Sequence, residues 1–339
     1  MSDQKIKLGV VGAGRHGRDM GRAARESGRF DLVVCCDLVP ELASQAKDWV
    51  GYRHSVTSME KMLEFDIDAV LVATSHDALA ETASHAARAG KHVYVEKPLA
   101  LTAEQAAGVV AAASDCGVNL MVGYCLRYLP SRVEMKHQID SGAVGEMVGI
   151  ASGKAGSRYL TGPLADPNRG GGALLFVGSH QIDQILWLTG ETPETVAGKV
   201  TYVPENGTDD TSWFTLEFPS GLVAQAFCGQ NSGTVIDYVD VMGTLGKIRA
   251  DYPTNEVWIQ SQVNPAYKDR TYIVKSPPIL PENWPTPMSN MYVEEIVEFA
   301  DSIAEGRVPA IPGEAAVNVL RVIDAIKQSS DLEGEKIEL

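Results

Sequence analysis

Basic residues are scarce in this sequence. Its 29 lysines and arginines face 44 aspartates and glutamates, a formal charge of −15 at pH 7 over 339 residues. That balance argues against a nucleic-acid binder, which needs a cationic footprint for phosphates. Long apolar runs are missing too. Stretches such as residues 173–177 fall far short of the roughly 20 residues that cross a bilayer. Residues 1–5 lead almost at once into a strand pattern with no leader, so a cytoplasmic chain with no membrane partner is expected. The cysteines are five, an odd number, without a C-x-x-C pair (Cys35, Cys36, Cys116, Cys125, Cys228), and read as reduced core residues. The histidines show no metal spacing and no metal is expected. What remains, 45% hydrophobic and 22% charged, is an ordinary globular composition long enough for two domains.

The first third alternates short runs that are apolar on both faces, at 6–11, 32–36, 69–73, 92–95 and 118–122, with helix-like segments. This is the pattern of a parallel sheet covered by helices on both sides, hence a doubly wound α/β domain over residues 1–125. From 126 to 339 the runs shorten and alternate, at 146–152, 196–203, 212–218, 222–228, 238–242, 247–250, 257–260 and 271–274. Turns such as Glu205-Asn206-Gly207 and Gly243-Thr244-Leu245-Gly246 separate them, so a second α+β domain with a large, mainly antiparallel open sheet is expected. Helices are predicted from about 173 to 188, from about 291 and from about 314, and the proline-rich stretch 276–287 as a surface loop.

The strand 6–11 runs straight into Gly12-Ala13-Gly14-Arg15-His16-Gly17, with Met20, Ala23 and Ala24 then at helical spacing. This is G-x-G-x-x-G between a strand and a helix. Gly12 makes the tight turn, Gly14 lets a pyrophosphate approach, and Gly17 lets the helix pack on the strand. The next strand ends at Asp37, placed to bind the adenosine ribose hydroxyls and to repel a 2′-phosphate. With no basic residue in 38–41, NAD is favoured; Arg15 and its reach to a phosphate keep NADP as the alternative.

Further landmarks follow in order: Thr74-Ser75-His76 after one strand, Glu96-Lys97-Pro98 after the next, and residues 172–183 opening the long helix of the second domain. With these motifs the chain resembles, from about residue 5 to its end, the Gfo/Idh/MocA oxidoreductases, the family of glucose-fructose oxidoreductase and inositol dehydrogenase. The resemblance implies an N-terminal Rossmann domain, a C-terminal sheet domain serving a homo-oligomer (dimer or tetramer), an active site between the two, and sugar, cyclitol or polyol substrates. It adds Thr74, Ser75, His76, Glu96 and Lys97 to the cofactor contacts, puts Lys97 near nicotinamide and substrate hydroxyl, and leaves the Lys97–Pro98 peptide open to the cis form. Chemically, an ammonium beside a cationic nicotinamide has its proton loosened by like charge.

On the helix 173–188, straight α-helical spacing puts Phe176, His180, Asp183 and Trp187 on one face. A histidine and an aspartate there need partners or a wet cavity. The resemblance implies D-x-x-x-H-x-x-D, with His180 as acid or base and Asp183 orienting it or binding substrate. Phe176 stands where the first carboxylate belongs, which suits an apolar wall for a deoxy sugar or glycoside. Tyr124, Arg127, Lys154, Arg158, Tyr159 and Arg169 are further candidate substrate contacts. The function expected is an NAD-dependent dehydrogenase of a secondary alcohol on a sugar, glycoside or cyclitol, with Lys97 and His180 handling the proton. The alternatives are a glycoside-cleaving cycle of transient oxidation and a non-catalytic NAD-binding regulator.

Overall fold

The computed structural model describes residues 5–156, 161–252, 254–275 and 286–339. Arg158, Tyr159 and residues 276–285 of the stretch expected as a surface loop lie outside them. Contacts divide the chain into two units, Met1–Cys125 with Met288–Val317, and Leu126–Pro287 with Asn318–Leu339.

In the first unit, β1 (Ile6–Val11), β2 (Phe30–Cys36), β3 (His54–Val56), β4 (Ala69–Val72), β5 (His92–Glu96) and β6 (Leu120–Gly123) form a six-stranded sheet in the order β3-β2-β1-β4-β5-β6. Every pairing is parallel. The intervening helices are α1 (Arg15–Glu26), α2 (Pro40–Ala46), α3 (Met59–Leu63), α4 (His76–Arg88) and α5 (Ala103–Asp115). All four residues of β4 are buried, as a strand covered on both faces must be. This is the doubly wound order in which ligands bind at the carboxyl ends of the strands. The edge strand β3 has only three residues and no apolar run, so the sequence pattern passed over it. Four cysteines are buried as expected, but Cys116 is exposed, because it caps the C-terminal end of α5.

The second unit contains α6 (Pro130–Asp140), β7 (Met147–Ala155), a π-helical turn Leu174–Gly178 that runs into α7 (Ser179–Thr189), and then β8 (Thr195–Tyr202), β9 (Asp209–Glu217), β10 (Val223–Gly229), β11 (Ile236–Gly243), β12 (Gly246–Asp251), β13 (Glu256–Ser261) and β14 (Thr271–Lys275). These join a nine-stranded sheet, ordered β14-β13-β12-β11-β7-β10-β9-β8 and closed at its edge by the C-terminal β15 (Ile337–Glu338). The pairings are antiparallel except β7 with β10, which is parallel. One face carries an aromatic row: Trp213 stacks on Phe227 at 4.6 Å, and Phe227 lies 6.5 Å from Tyr238. Gly153 on the strand between them makes the row possible, since a Cβ there would collide with both rings.

The last two helices divide between the units, where the sequence drew a single boundary after residue 125. Phe299 of α8 (Thr286–Glu305) stacks on Phe30 at 6.4 Å and meets Tyr94 edge-on at 5.9 Å, and Asn119 donates to Ser302 Oγ at 3.0 Å. The helix α9 (Gly313–Asp331) returns to the second unit, where Ser329 and Ser330 hydroxyls accept from the β8 amides of Gly198 and Val200 at 2.9 and 3.0 Å. Among the described residues no helix is long and apolar enough to cross a membrane.

Candidate active site

The glycine turn stands at the carboxyl end of β1. Gly12 has a φ of +93°, and a Cβ there would collide with the Ala73 carbonyl at the end of β4; one on Gly17 would collide with the Gly12 carbonyl. Both are therefore required by the chain itself. Gly14 is different, because a Cβ on it would meet nothing within 4 Å and its φ of −64° suits any residue. No side chain caps α1 at Gly14 and no acid lies in its first turn, so the positive helix end opens onto that space. These features fit a dinucleotide pyrophosphate.

Asp37 follows β2 and is held by the same loop: Oδ2 accepts from the Ala13 amide at 2.7 Å and Oδ1 from the Val39 amide at 2.9 Å. The carboxylate is thus held in one orientation by backbone donors. Thr74, Ser75 and His76, half-buried, stand at the end of β4, with Ser75 at the N-cap of α4. Arg15 is exposed on the first turn of α1. Within this unit, then, the cofactor candidates lie along one edge of the sheet. Gly14→Ala should leave the melting temperature within about 1 °C, since the new methyl meets nothing, yet weaken NAD binding roughly tenfold or more by calorimetry as the backbone's approach to pyrophosphate is blocked.

Glu96 ends β5, and the Lys97–Pro98 peptide that follows is cis. Leu99 comes next, fully buried at a φ of +76°, a conformation that a branched residue adopts only when its surroundings hold it. His16 of the glycine loop reaches Glu96, Nε2 to Oε1 at 2.8 Å. Tyr94 lies two residues earlier on the same strand face; its hydroxyl donates to Glu295 of α8 at 2.8 Å and approaches Glu96 Oε1 at 3.4 Å. Burial would raise the Glu96 carboxyl, but the charge and hydrogen bond of His16 outweigh it and hold it below the usual range. Burial and the neighbouring glutamates push the Tyr94 hydroxyl well up. Neither Tyr94 nor Glu295 was anticipated. Tyr94 had a signal in its two-residue spacing from Glu96; Glu295, two hundred residues away, had none.

In the second unit the helix that carries His180 begins with an unforeseen device. Asp209 of β9 accepts from the Leu174 amide at 2.6 Å, and Gly172, at φ +119°, leaves room for that carboxylate. Burial pushes the Asp209 carboxyl up, while the backbone donors oppose it. The π-helical turn then holds one residue more than an α-turn, which changes the spacing of Phe176 from the residues of α7 but not that of His180 from Asp183. From Gly170 to Ile185 only Phe176 and His180 are half-buried, the others being buried. Asp183 does not join them, as straight spacing expected: it is 1% exposed, and both its oxygens accept from Arg127, Nη2 to Oδ1 at 2.6 Å and Nε to Oδ2 at 3.0 Å. Burial raises its carboxyl, and the guanidinium's charge and bonds oppose the rise. Arg127 also lies over the Trp187 ring at 5.9 Å. This pair turns two expected substrate contacts into one fixed unit.

Three other candidates are placed differently from expectation. Tyr124 is fully buried and presents no surface. Lys154 is bound to Asp237, which also accepts from Arg132 Nη2 at 2.8 Å, while Arg132 Nε donates to Gln184 at 2.6 Å. Against the burial that would raise it, these two cations hold the Asp237 carboxyl below its usual range. Lys154 thus belongs to a structural ion cluster. Arg169 is exposed in a short 3₁₀ turn, Pro167–Arg169.

Residues 6–124 match an oxidoreductase family with an NAD-binding Rossmann fold, GFO/IDH/MocA, and residues 133–249 match the GFO/IDH/MocA C-terminal domain. An inositol 2-dehydrogenase from Rhizobium meliloti (strain 1021) is 28% identical, over 96% of this chain and 96% of its own. A levoglucosan dehydrogenase from Pseudarthrobacter phenanthrenivorans is 27% identical over 98% and 97%. A solved levoglucosan dehydrogenase in complex with NADH superimposes with a TM-score of 0.90, at 25% identity over 99% of both chains. With both domain matches in their expected order, and the glycine turn, Asp37 and Glu96-Lys97-Pro98 where that fold needs them, the chain belongs to the Gfo/Idh/MocA oxidoreductases.

Proposed function

We propose that the protein is an NAD-dependent dehydrogenase acting on a secondary alcohol of a sugar, glycoside or cyclitol, with Lys97 and His180 handling the hydroxyl proton. The observation that carries this is the alignment along one sheet edge of the open Gly14 turn, the oriented Asp37 and the Glu96-Lys97 segment. Bound NAD supplies the acceptor for hydride. Asp37 holds the ribose, the α1 N-terminus the pyrophosphate, and Thr74, Ser75 and His76 complete the cofactor's contacts. Lys97 polarises the substrate oxygen and His180 takes its proton, so that no alkoxide builds up unassisted. Asp183 acts by fixing Arg127.

The similarity to inositol and levoglucosan dehydrogenases supports a carbohydrate substrate. Phe176, accessible beside His180, supports one with an apolar face, such as an anhydro sugar, a deoxy sugar or a glycoside. The same reading includes a cytoplasmic protein assembled from copies of itself, supported by the reduced cysteines and by the sheet face on which Trp213 is 59% exposed.

The test is absorbance of reduced cofactor with a panel of sugars, glycosides and cyclitols, with NAD and NADP in parallel and free sugar followed in each. Sustained NADH formation, fastest with substrates bearing an apolar face, is expected. Free sugar without NADH would point to transient oxidation, and silence throughout despite tight NAD binding to a regulator.

A further inference from the structure

We propose that His16 is a positioning residue for the chemistry at Lys97: it takes the buried Glu96 carboxylate as its own ion partner and so sets the charge that Lys97 meets. The proposal builds on the role given to Lys97 above, and all the residues it needs belong to the first unit.

Glu96 is 8% exposed, and a carboxylate so enclosed requires a cation or a proton. Its direct partner is His16 at 2.8 Å, reached from the glycine turn; Lys97, its chain neighbour, acts on it through its charge. The surroundings hold this choice in place. Tyr94 on the same strand is bonded to Glu295 of α8 and directs its hydroxyl toward Glu96, while Tyr292 of α8 sets its ring edge-on to His16 at 5.5 Å. On β6, Gly123 leaves the room: a Cβ there would stand 2.6 Å from the Tyr94 hydroxyl and 2.9 Å from Glu96 Oε1. The charged and titratable groups facing the pair are Asp19 and His16 on α1, Tyr94 and Glu96 on β5, Lys97 after it, and Glu295 and Tyr292 on α8; Cys125 acts on Tyr94.

Both partners titrate toward the ion pair. Loss of solvent would lower the His16 imidazole, but the Glu96 charge and hydrogen bond outweigh it and raise it, and the Glu96 carboxyl is lowered in turn. Lys97 opposes the charge on His16, and this repulsion is mutual. With His16 charged, Lys97 therefore meets a neutralised pair. With that charge removed, it stands beside an uncompensated carboxylate, which holds its proton more tightly and draws it away from a substrate oxygen.

The measurement uses the full chain without cofactor. Acetic anhydride labels amines only in their neutral form, so the labelling rate of Lys97 at fixed pH, taken by peptide mass spectrometry against exposed Lys199, reads the neutral fraction. His16→Gln keeps a hydrogen-bond donor but loses the charge; Lys97 is expected to label about tenfold more slowly, the change that one unit in an amine's titration produces. In the double variant His16→Gln/Glu96→Gln the carboxylate is gone as well, and the rate should return to within about twofold of the parent. Glu96→Gln alone should label within about twofold of the parent, because burial drives His16 neutral once its carboxylate is gone; a tenfold acceleration would mean that Glu96 stood uncompensated in the parent and would overturn the proposal even if His16→Gln fails to fold by circular dichroism. A parental rate in His16→Gln, or a double variant as slow as the single, would overturn the proposal. Because the readout needs neither substrate nor turnover, a silent substrate panel would count against the dehydrogenase and leave this result standing.

Discussion

Lys97→Met should lower kcat for the best polyol substrate by about 10²- to 10⁴-fold while NAD affinity changes by only a few-fold. The methionine keeps the length of the side chain and removes the ammonium, so the loss falls on the step that needs a polarised oxygen. His180→Phe should cost a similar factor. On the proposed mechanism the two side chains serve one proton, so the double variant should be little worse than either alone, well short of the product of the single losses. Stopped-flow formation of NADH, with NAD binding followed separately by calorimetry, distinguishes these outcomes. Loss of cofactor affinity in step with kcat would mean that Lys97 holds the dinucleotide and does no proton chemistry.

Asp183→Ala should destabilise the protein by about 3–5 kcal/mol, because it leaves the Arg127 guanidinium in a largely enclosed place without its carboxylate. Asp183 is 1% exposed, and the pair is joined through two parallel hydrogen bonds at 2.6 and 3.0 Å, the geometry in which such pairs are strongest. Replacing both members by apolar residues, as in Asp183→Leu/Arg127→Met, should recover most of the loss, since no charge is then left buried. Urea unfolding of the three variants measures this. If Asp183→Ala unfolds at the parental urea concentration while KM for substrate rises sharply, Asp183 is a ligand contact and not a brace for Arg127.

The parallel domain was legible because its code is local. The run Gly12-Ala13-Gly14-Arg15-His16-Gly17 needs only its neighbours to be read, and the buried strands announce themselves by apolar residues on both faces. The alternating strands of the second sheet were legible for the same reason, down to the turn that pairs Gly243 with Gly246. The side-chain partnerships were not. Straight helical counting put Asp183 with His180, but three residues along α7 set them about 60° apart around the axis, and Arg127 takes the Asp183 carboxylate, a partnership that periodicity does not announce; the π-helical turn at Leu174–Gly178 had no signal in composition or spacing either. The Asp209 carboxylate that caps this turn comes from a strand 35 residues on. Glu295, Asp237 and the return of α8 to the first unit are likewise contacts between residues far apart in the chain, which periodicity cannot see. Tyr124 looked like a ligand residue because it follows a strand end, but position on a loop does not fix exposure.

The most direct measurement follows the hydrogen itself. The best substrate from the panel, deuterated at its alcohol carbons, is mixed with NAD and the enzyme, and the reduced cofactor is analysed by mass spectrometry. A gain of one deuterium per NADH formed, with the oxidised sugar or cyclitol in equal amount, is the result expected of a dehydrogenase that passes the alcohol's carbon-bound hydrogen to NAD as hydride. NADH without deuterium, or substrate consumed with no net change in the cofactor, would contradict it.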